Sequence, residues 1–435
     1  MQTRLSTALG RLKLFSHMPT PAIHQLDEIK HNIFIRKMLR SKKLTRLLKL
    51  GTVPQPIAPL SNLIQRWHLD SRTLVNPTAI ARVAPRYLDD QAPHDMDMPQ
   101  HPLVFPAVRV VRLRSARVTG HSSLVEVNGY IAHHDLFDVQ THTLSDELNR
   151  RIAFQPLAQT ARKQLKDHAP FELQRAATFT DSIAPNYAHW LTEVLPRIVV
   201  LSLQADFDRV PYIVDAKLHP NIQRTLELVV GNSRDIYLLP RDRQINVAEL
   251  SVVSPTGYIP LGHRDIKKPG HSHGIFSSTA LKMTVELLKS RLGVTPPLTP
   301  SRKIYVKRNS HGRNLRNADE LEQALVSIGF DVVEPEKMSF DDQVRTFSSA
   351  RIIVGATGAA MANLLFAPAS CNVFIVIAQH PDTPYYYWQN MAACVGLTVT
   401  YVVGKQTPDA ANGVHSDFCI SAEQIVSLKQ AVSTI

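Results

Sequence analysis

The chain has 435 residues, 44% apolar and 20% charged, with a formal net charge of +12 at pH 7. That length exceeds one ordinary hydrophobic core and predicts two domains plus an extension, and the composition excludes a disordered or fibrous chain. Cys371, Cys394 and Cys419 are odd in number and lack C-x-x-C spacing, which argues against a disulfide framework or a cysteine zinc site and points to a reducing compartment. No uninterrupted apolar run of 18 or more residues and no signal-peptide core occurs, so the expectation is a cytoplasmic chain without a spanning helix.

Taken in order, residues 1–50 hold eleven Lys/Arg against Asp27 and Glu28, nine of the twelve net positive charges, so the remaining body is nearly neutral. Within HNIFIRKMLRSKKLTRLLKL (31–50), Ile35, Met38, Leu39, Leu47 and Leu50 can share a helical face ringed by Arg and Lys. A basic amphipathic helix suits an anionic membrane surface, each basic residue contributing about 1 kcal/mol near the bilayer. A solvated arm and a nucleic-acid arm are the other readings. The arm lacks the aromatic interleaving of single-strand binders, so nucleic acid is not expected as a partner. GTVPQPIAPL (51–60), with three prolines, reads as the close of this arm, which gives a first segment over 1–60.

Residues 84–106 read as loop. From Ala107, AVRVVRLRSARV has strand character, and SSLVEVNGYIA reads as its hairpin partner turning at Asn128-Gly129. SSTALKMTVELLKSRLG starts on serines and stops at Arg291 and Gly293, a helix with both terminal signals. The proline-rich VTPPLTPSR (294–302) then separates an N-terminal α/β domain, 61–294, from a C-terminal domain, 295–435.

Beyond it the pattern is regular. KIYVK (303–307) is a strand; Asn317 and Glu320 have capping-box spacing before the face Leu321, Ala324, Leu325 and Ile328; Gly329 stops that helix. FDVV, IIVG and NVFIVIA follow as strands, alternating with the helices FDDQVRTFSSA and AAMANLLF. The final SAEQIVSLKQAVS is a helix with its own capping box, free to pack back on the N-terminal domain. Such alternation predicts right-handed crossovers and a parallel, Rossmann-like sheet. Its ligand would lie beyond the carboxyl ends of the strands, at the loops after Lys307, Val333 and Val354.

Three stretches carry chemistry. GATGAA (355–360) is neither a dinucleotide fingerprint nor a Walker loop. Its glycines would let the amides of a helix N-terminus approach an anion, with Thr357 adding a hydroxyl; a mere tight turn is the alternative. KRNSHGRNLRN (307–317) crowds Lys307, Arg308, Arg313 and Arg316 onto the same edge, where arginine can grip phosphate oxygens in pairs; alone, it reads as a solvated face. In NYAHWLTEVLPRI (186–198), Tyr187, Leu191, Val194, Leu195 and Ile198 form a core face, while His189, Glu193 and Arg197 form a polar stripe. A carboxylate one turn from a histidine can orient it and raise its basicity, as a general base requires; a surface ion-pair stripe has the same spacing. Pro196 predicts a kink or an end to that helix. Asp95-Met96-Asp97 and Asp206-Phe207-Asp208 are short patterns that follow no convincing buried strand, and His133-His134-Asp135 and His271-Ser272-His273 lack further ligands at usable spacing, so no metal site is expected. No G-x-S-x-G elbow occurs.

Together NYAHWLTEVLPRI, then IYVKR with Arg313 and Asn317, then SFDDQVRTFSSARIIVGATGAAMANLLFAP, resemble glycosyltransferase family 61 over roughly residues 105–405. The resemblance implies a GT-B architecture of two Rossmann-like domains facing a cleft. It also implies inversion at the anomeric carbon and no obligatory metal or other cofactor. The donor would be a nucleotide-sugar and the acceptor a glycan or lipid-linked glycan, in bacterial surface-polysaccharide assembly, with the basic arm bringing a cytoplasmic protein to the inner membrane. His189 or Glu193 would be the base; Arg308, Arg313, Asn317, Gly355, Thr357, Gly358, Ala359 and Asn363 would bind the donor. Three positions depart from the family pattern: Thr357 stands for a histidine, Ile375 for a glutamate at the end of the next strand, and Ala318 for a glutamate after Asn317. A threonine can donate a hydrogen bond but cannot become cationic. The rival reading is a relative that binds nucleotide or glycan without turnover; an oxidoreductase is disfavoured by the missing glycine fingerprint.

Overall fold

The computed structural model describes residues 53–80, 83–88, 104–164, 170–260, 262, 273–308, 312–381, 383–407 and 413–435. The basic arm of residues 1–50, the Asp95–Asp97 pattern and His271-Ser272 lie outside them. The described chain forms mixed α/β structure around two large sheets. In the first, Ile236–Leu239, Tyr212–Asp215, Phe171–Thr178 and Gln244–Val253 run parallel, and Val108–Thr119 joins antiparallel on Gln244–Val253, with Leu250 opposite Leu113. The Asn-Gly hairpin forms as expected: Val125–Val127 and Tyr130–His133 pair, and Asn128 and Gly129 both take positive φ, 48° and 79°.

The second sheet is the regular one read from the sequence. Asp331–Val333, Arg302–Val306, Ala350–Ala356, Asn372–Ala378 and Val399–Gln406 are all parallel, and their carboxyl ends share one edge. Continuous apolar strands such as NVFIVIA need cover on both faces. The final helix, Ala422–Ser433, supplies part of it: Ile425, Leu428 and Val432 bury against Leu321, Leu325 and Val354. Its Ser421–Gln424 capping box is formed, and Leu88 of the N-terminal half packs against the same cluster.

Two other expectations change. The proline-rich 51–60 stretch is no simple linker: Gln55–Pro59 is a strand, parallel to Tyr130–His133 and antiparallel to Thr160–Lys163. Proline has the φ of extended chain and forfeits only a donor, so the ladder survives through Ile57 and Ala58. Within the expected 84–106 loop, Arg86–Tyr87 adds a parallel strand to the second sheet, with Tyr87 opposite Tyr401. A segment of the N-terminal half thereby completes the C-terminal sheet.

The two sheets share one apolar core. A single buried cluster contains Phe179, Tyr212 and Val253 from the first and Ile304, Ile353, Ile375 and Val399 from the second, bridged by Ile198, Val199, Leu281 and Leu288 on helices Leu195–Ser202 and Ser278–Arg291. Residues 54–435 accordingly make one compact unit. Polar contacts reinforce the join: Arg224 grips Asp341 through two bonds of 3.0 Å, and the Tyr187 hydroxyl donates to Asn363 Oδ1 at 2.7 Å. Asn363 is fully buried, and its amide also donates to Gln343 and to the Ala360 carbonyl. Replacing it strands several buried groups at once, each costing about 1–3 kcal/mol. Asn363→Ala should therefore lower unfolding stability by about 2–4 kcal/mol in a urea titration; a loss under 1 kcal/mol would show that the join does not depend on this amide.

Candidate functional site

The helix beginning at Tyr187 is unusual in the middle. Asn186 caps it, its side chain accepting from the Ala188 amide. Trp190–Val194 then forms a π turn, in which the Leu195 amide reaches the Trp190 carbonyl, and an α-helix resumes over Leu195–Ser202. Pro196 accounts for this. It has no N–H for the Thr192 carbonyl, and the widened turn lets the helix continue past it instead of ending there.

The polar stripe is buried, not a surface ion-pair row. The imidazole Nδ1 of His189 lies 2.5 Å from Glu193 Oε1, and Oε2 accepts from the Ile259 amide at 3.2 Å. Arg197 donates to the Glu193 carbonyl and to Asp181 Oδ2, each at 2.8 Å. Burial opposes the charged imidazolium, but the Glu193 carboxylate outweighs it and holds His189 above its ordinary value of 6.5. Burial likewise pushes the Glu193 carboxyl up, against the pull of His189. The ring's Nε2 makes no hydrogen bond among the described residues, and the side chain is 15% exposed. Behind Glu193, a cavity of about 60 Å³ borders Asp181, Arg197, His134 and Ser145, space for about four waters.

Across the join stands the glycine turn. The helix read over this stretch is a tight 3-10 helix, Ala359–Phe366, and Tyr187–His189 packs against it. A Cβ on Gly355 would lie 2.7 Å from Met361 Sδ and 2.9 Å from Val306, so glycine is what lets the turn fold onto the sheet. Gly358 is needed for a different neighbour: a Cβ there would meet the Arg308 guanidinium at 1.9 Å. Arg308 donates to the Thr357 and Gly312 carbonyls at 2.7 and 2.9 Å, while its buried Nε has no partner among the described residues. The Thr357 hydroxyl accepts from the Trp388 indole at 2.9 Å and keeps its own proton to donate. Ala359 and Ala360 begin the helix, where amides have no intrahelical acceptor.

The basic loop divides by function. Lys307 pairs with Glu322 at 2.8 Å and Arg316 with Asp417 at 2.9 Å, which spends both charges. Arg313, at a left-handed φ of 56°, is half-buried, and its guanidinium has no hydrogen bond or ion pair among the described residues. Burial and the charge of Arg313 hold Arg308 down to about 10, and burial with both arginines keeps His415 below its ordinary value. The cluster repels itself without an anion. Asn317 plays another part: the expected capping box is absent, and its amide instead clasps the Ile420 backbone at 2.8 and 3.3 Å. Asn363, as described, is fully engaged in the join. Ile375 is wholly enclosed in the core.

Sequence reasoning missed Asp181, Tyr387, Trp388 and His415. They come from separate segments, and only tertiary packing brings them to the site, so no local spacing marks them. Of the discounted metal patterns, Asp206 is ion-paired with Arg72 at 3.0 Å, and His133 Nδ1 contacts the His134 carbonyl. The charge on His189 has a direct test. In Glu193→Gln the hydrogen bond can persist while the carboxylate charge goes, leaving burial to dominate. The His189 pKa, followed by NMR of its ring protons, should fall from above 6.5 to below it; an unchanged value would mean that Glu193 is not what raises it.

Residues 187–374 match the family model described as Glycosyltransferase 61, a span from the start of the His189 helix to the strand after the glycine turn. No curated protein matches the chain.

Proposed function

We propose, from the match of residues 187–374 to the glycosyltransferase 61 family model, that the protein is an inverting, metal-independent glycosyltransferase. It moves a sugar from a nucleotide-sugar donor to a glycan or lipid-linked acceptor in bacterial surface-polysaccharide synthesis. The observation that carries this reading is the docking of the His189–Glu193 pair on the glycine turn beside an uncommitted Arg313. A base and an anion site then face one gap.

In this reading the acceptor hydroxyl gives its proton to His189 Nε2, while Glu193 holds the opposite nitrogen and stabilises the imidazolium that forms. The acceptor oxygen attacks the anomeric carbon from the side opposite the diphosphate, and the bond to the diphosphate breaks with inversion. The leaving charge falls on Arg313, the Arg308 cation, the Thr357 hydroxyl and the amides of Ala359 and Ala360, which together take the place of a metal ion. The two α/β sheets, each with parallel carboxyl ends near the gap, support a GT-B arrangement with the donor on the C-terminal side.

His189→Ala should lower kcat about 10²–10⁴-fold while nucleotide affinity stays within about twofold. Arg313→Ala should weaken nucleoside-diphosphate binding about ten- to a hundredfold, with or without EDTA. Full turnover in His189→Ala would remove the base from this scheme. If the wild type binds nucleotide but transfers no sugar to any acceptor, the protein is the binding relative instead; the buried Ile375, at a position acidic in the family pattern, is what favours that alternative.

No helix among the described residues is long and apolar enough to cross a membrane. Attachment of this cytoplasmic protein to the anionic inner-membrane face through residues 1–50 completes the proposal. Deleting residues 1–50 should abolish sedimentation with vesicles containing anionic lipid and leave transfer to a soluble acceptor intact; unchanged sedimentation would refute the attachment.

A further inference from the structure

Packing places Tyr387 between the two halves of the site, and neither half as described uses it. On one side its ring lies 6.4 Å from that of Phe276, and Phe276 and Glu193 both abut Gly257, where a Cβ would stand 2.8 and 3.3 Å from them. On the other side the ring packs edge-on against Trp388 at 4.5 Å, and the Trp388 indole donates to Thr357 in the glycine turn. Contact therefore runs from Glu193 through Gly257 and Phe276 to Tyr387, and from Tyr387 through Trp388 to Thr357. The residue is half-buried, and its hydroxyl makes no hydrogen bond among the described residues. Arg313 and Glu193 are both close enough for their charges to be felt at that hydroxyl, and burial keeps it protonated well above its ordinary range. A protonated phenol within reach of the Arg313 charge and without an acceptor among the described residues is a hydrogen-bond donor waiting for an oxygen.

We propose that Tyr387 is a catalytic residue whose hydroxyl donates to the sugar-bearing phosphate of the donor and stabilises it as it leaves. The proposal rests on the glycosyltransferase reading above. Its geometry follows from the order of atoms in the reaction. The acceptor oxygen sits at His189, the anomeric carbon comes next, and the phosphate that departs from that carbon comes third. Of the two phosphates, the sugar-bearing one must then lie nearer the His189–Glu193 pair, on the side where Tyr387 stands. The bond from carbon to phosphate oxygen breaks with its electron pair going to that oxygen, and the Tyr387 hydroxyl meets the growing charge with a hydrogen bond without giving up its proton. The departure at Thr357 becomes intelligible: a neutral threonine stands at the turn, and a neutral donor from the helix Tyr385–Ala393 supplements it.

The test is Tyr387→Phe, which keeps the ring packing and removes only the hydroxyl. Isothermal titration should find nucleoside-diphosphate affinity reduced about ten- to a hundredfold, the size expected for one hydrogen bond to a charged group. Affinity for the matching nucleoside monophosphate, which lacks the sugar-bearing phosphate, should be unchanged, and so should the Tm. A purely structural role would lower the Tm or weaken both ligands alike. Either of those outcomes, or unchanged diphosphate affinity, overturns the proposal for Tyr387 while leaving the donor site standing. If the wild-type protein binds no nucleoside diphosphate at all, the glycosyltransferase reading itself fails, and this proposal with it.

Discussion

The site depends on one junction, the seating of the Tyr187–Ser202 helix on the 3-10 turn of the other sheet. Tyr187 and Asn363 tie the first turn of the helix to the turn at 2.7 Å, and the apolar residues further along it belong to the core that both sheets share. Without that seating, the His189–Glu193 pair would be an ordinary ion pair on a helix face, and Arg308 and Arg313 an ordinary basic loop. With it, both are withdrawn from water into an interior where charges act on one another much more strongly. The junction is also why the core is continuous: helices from the N-terminal half fill the underside of the C-terminal sheet.

Burial of this much charge has to be compensated locally. On the N-terminal side the compensation is internal. Asp181 balances Arg197, Glu193 balances His189, and the Ile259 amide satisfies the remaining carboxylate oxygen. On the C-terminal side it is incomplete. Arg308 spends donors on two carbonyls, yet its Nε is stranded and Arg313 beside it has no counter-charge among the described residues. One half of the site is at rest and the other is short of an anion. That asymmetry fits the proposed pairing of a donor-binding surface with a preformed base, and the π turn forced by Pro196 contains Glu193 itself.

Much of the C-terminal half was legible in the sequence, because parallel strands in a covered sheet are continuous apolar runs and their helices carry strong caps: Ser421 forms the capping box expected of it, and Ser339 caps the helix Phe340–Ser348. The His189–Glu193 contact was legible too, since i, i+4 spacing survives even in a widened turn. What the sequence concealed was set by distant partners. Asn317 has the spacing of a capping residue but is claimed by Ile420, a hundred residues away in the chain. Asn363 has the position of a ligand contact but is claimed by Tyr187 and Gln343. Pro56 has the look of a linker but sits in a strand, because extended chain tolerates proline at the cost of one donor. Tyr387 lies in an aromatic run with no motif of its own, and only folding brings its ring against Phe276, more than a hundred residues away in the chain.

The most direct test of the account is a crystal structure of His189→Ala holding an intact nucleotide-sugar. The account predicts the diphosphate on the Arg313 guanidinium and the amides of Ala359 and Ala360, with the anomeric carbon facing the space left by the imidazole. A diphosphate bound elsewhere, or an anomeric carbon turned away from residue 189, would contradict it.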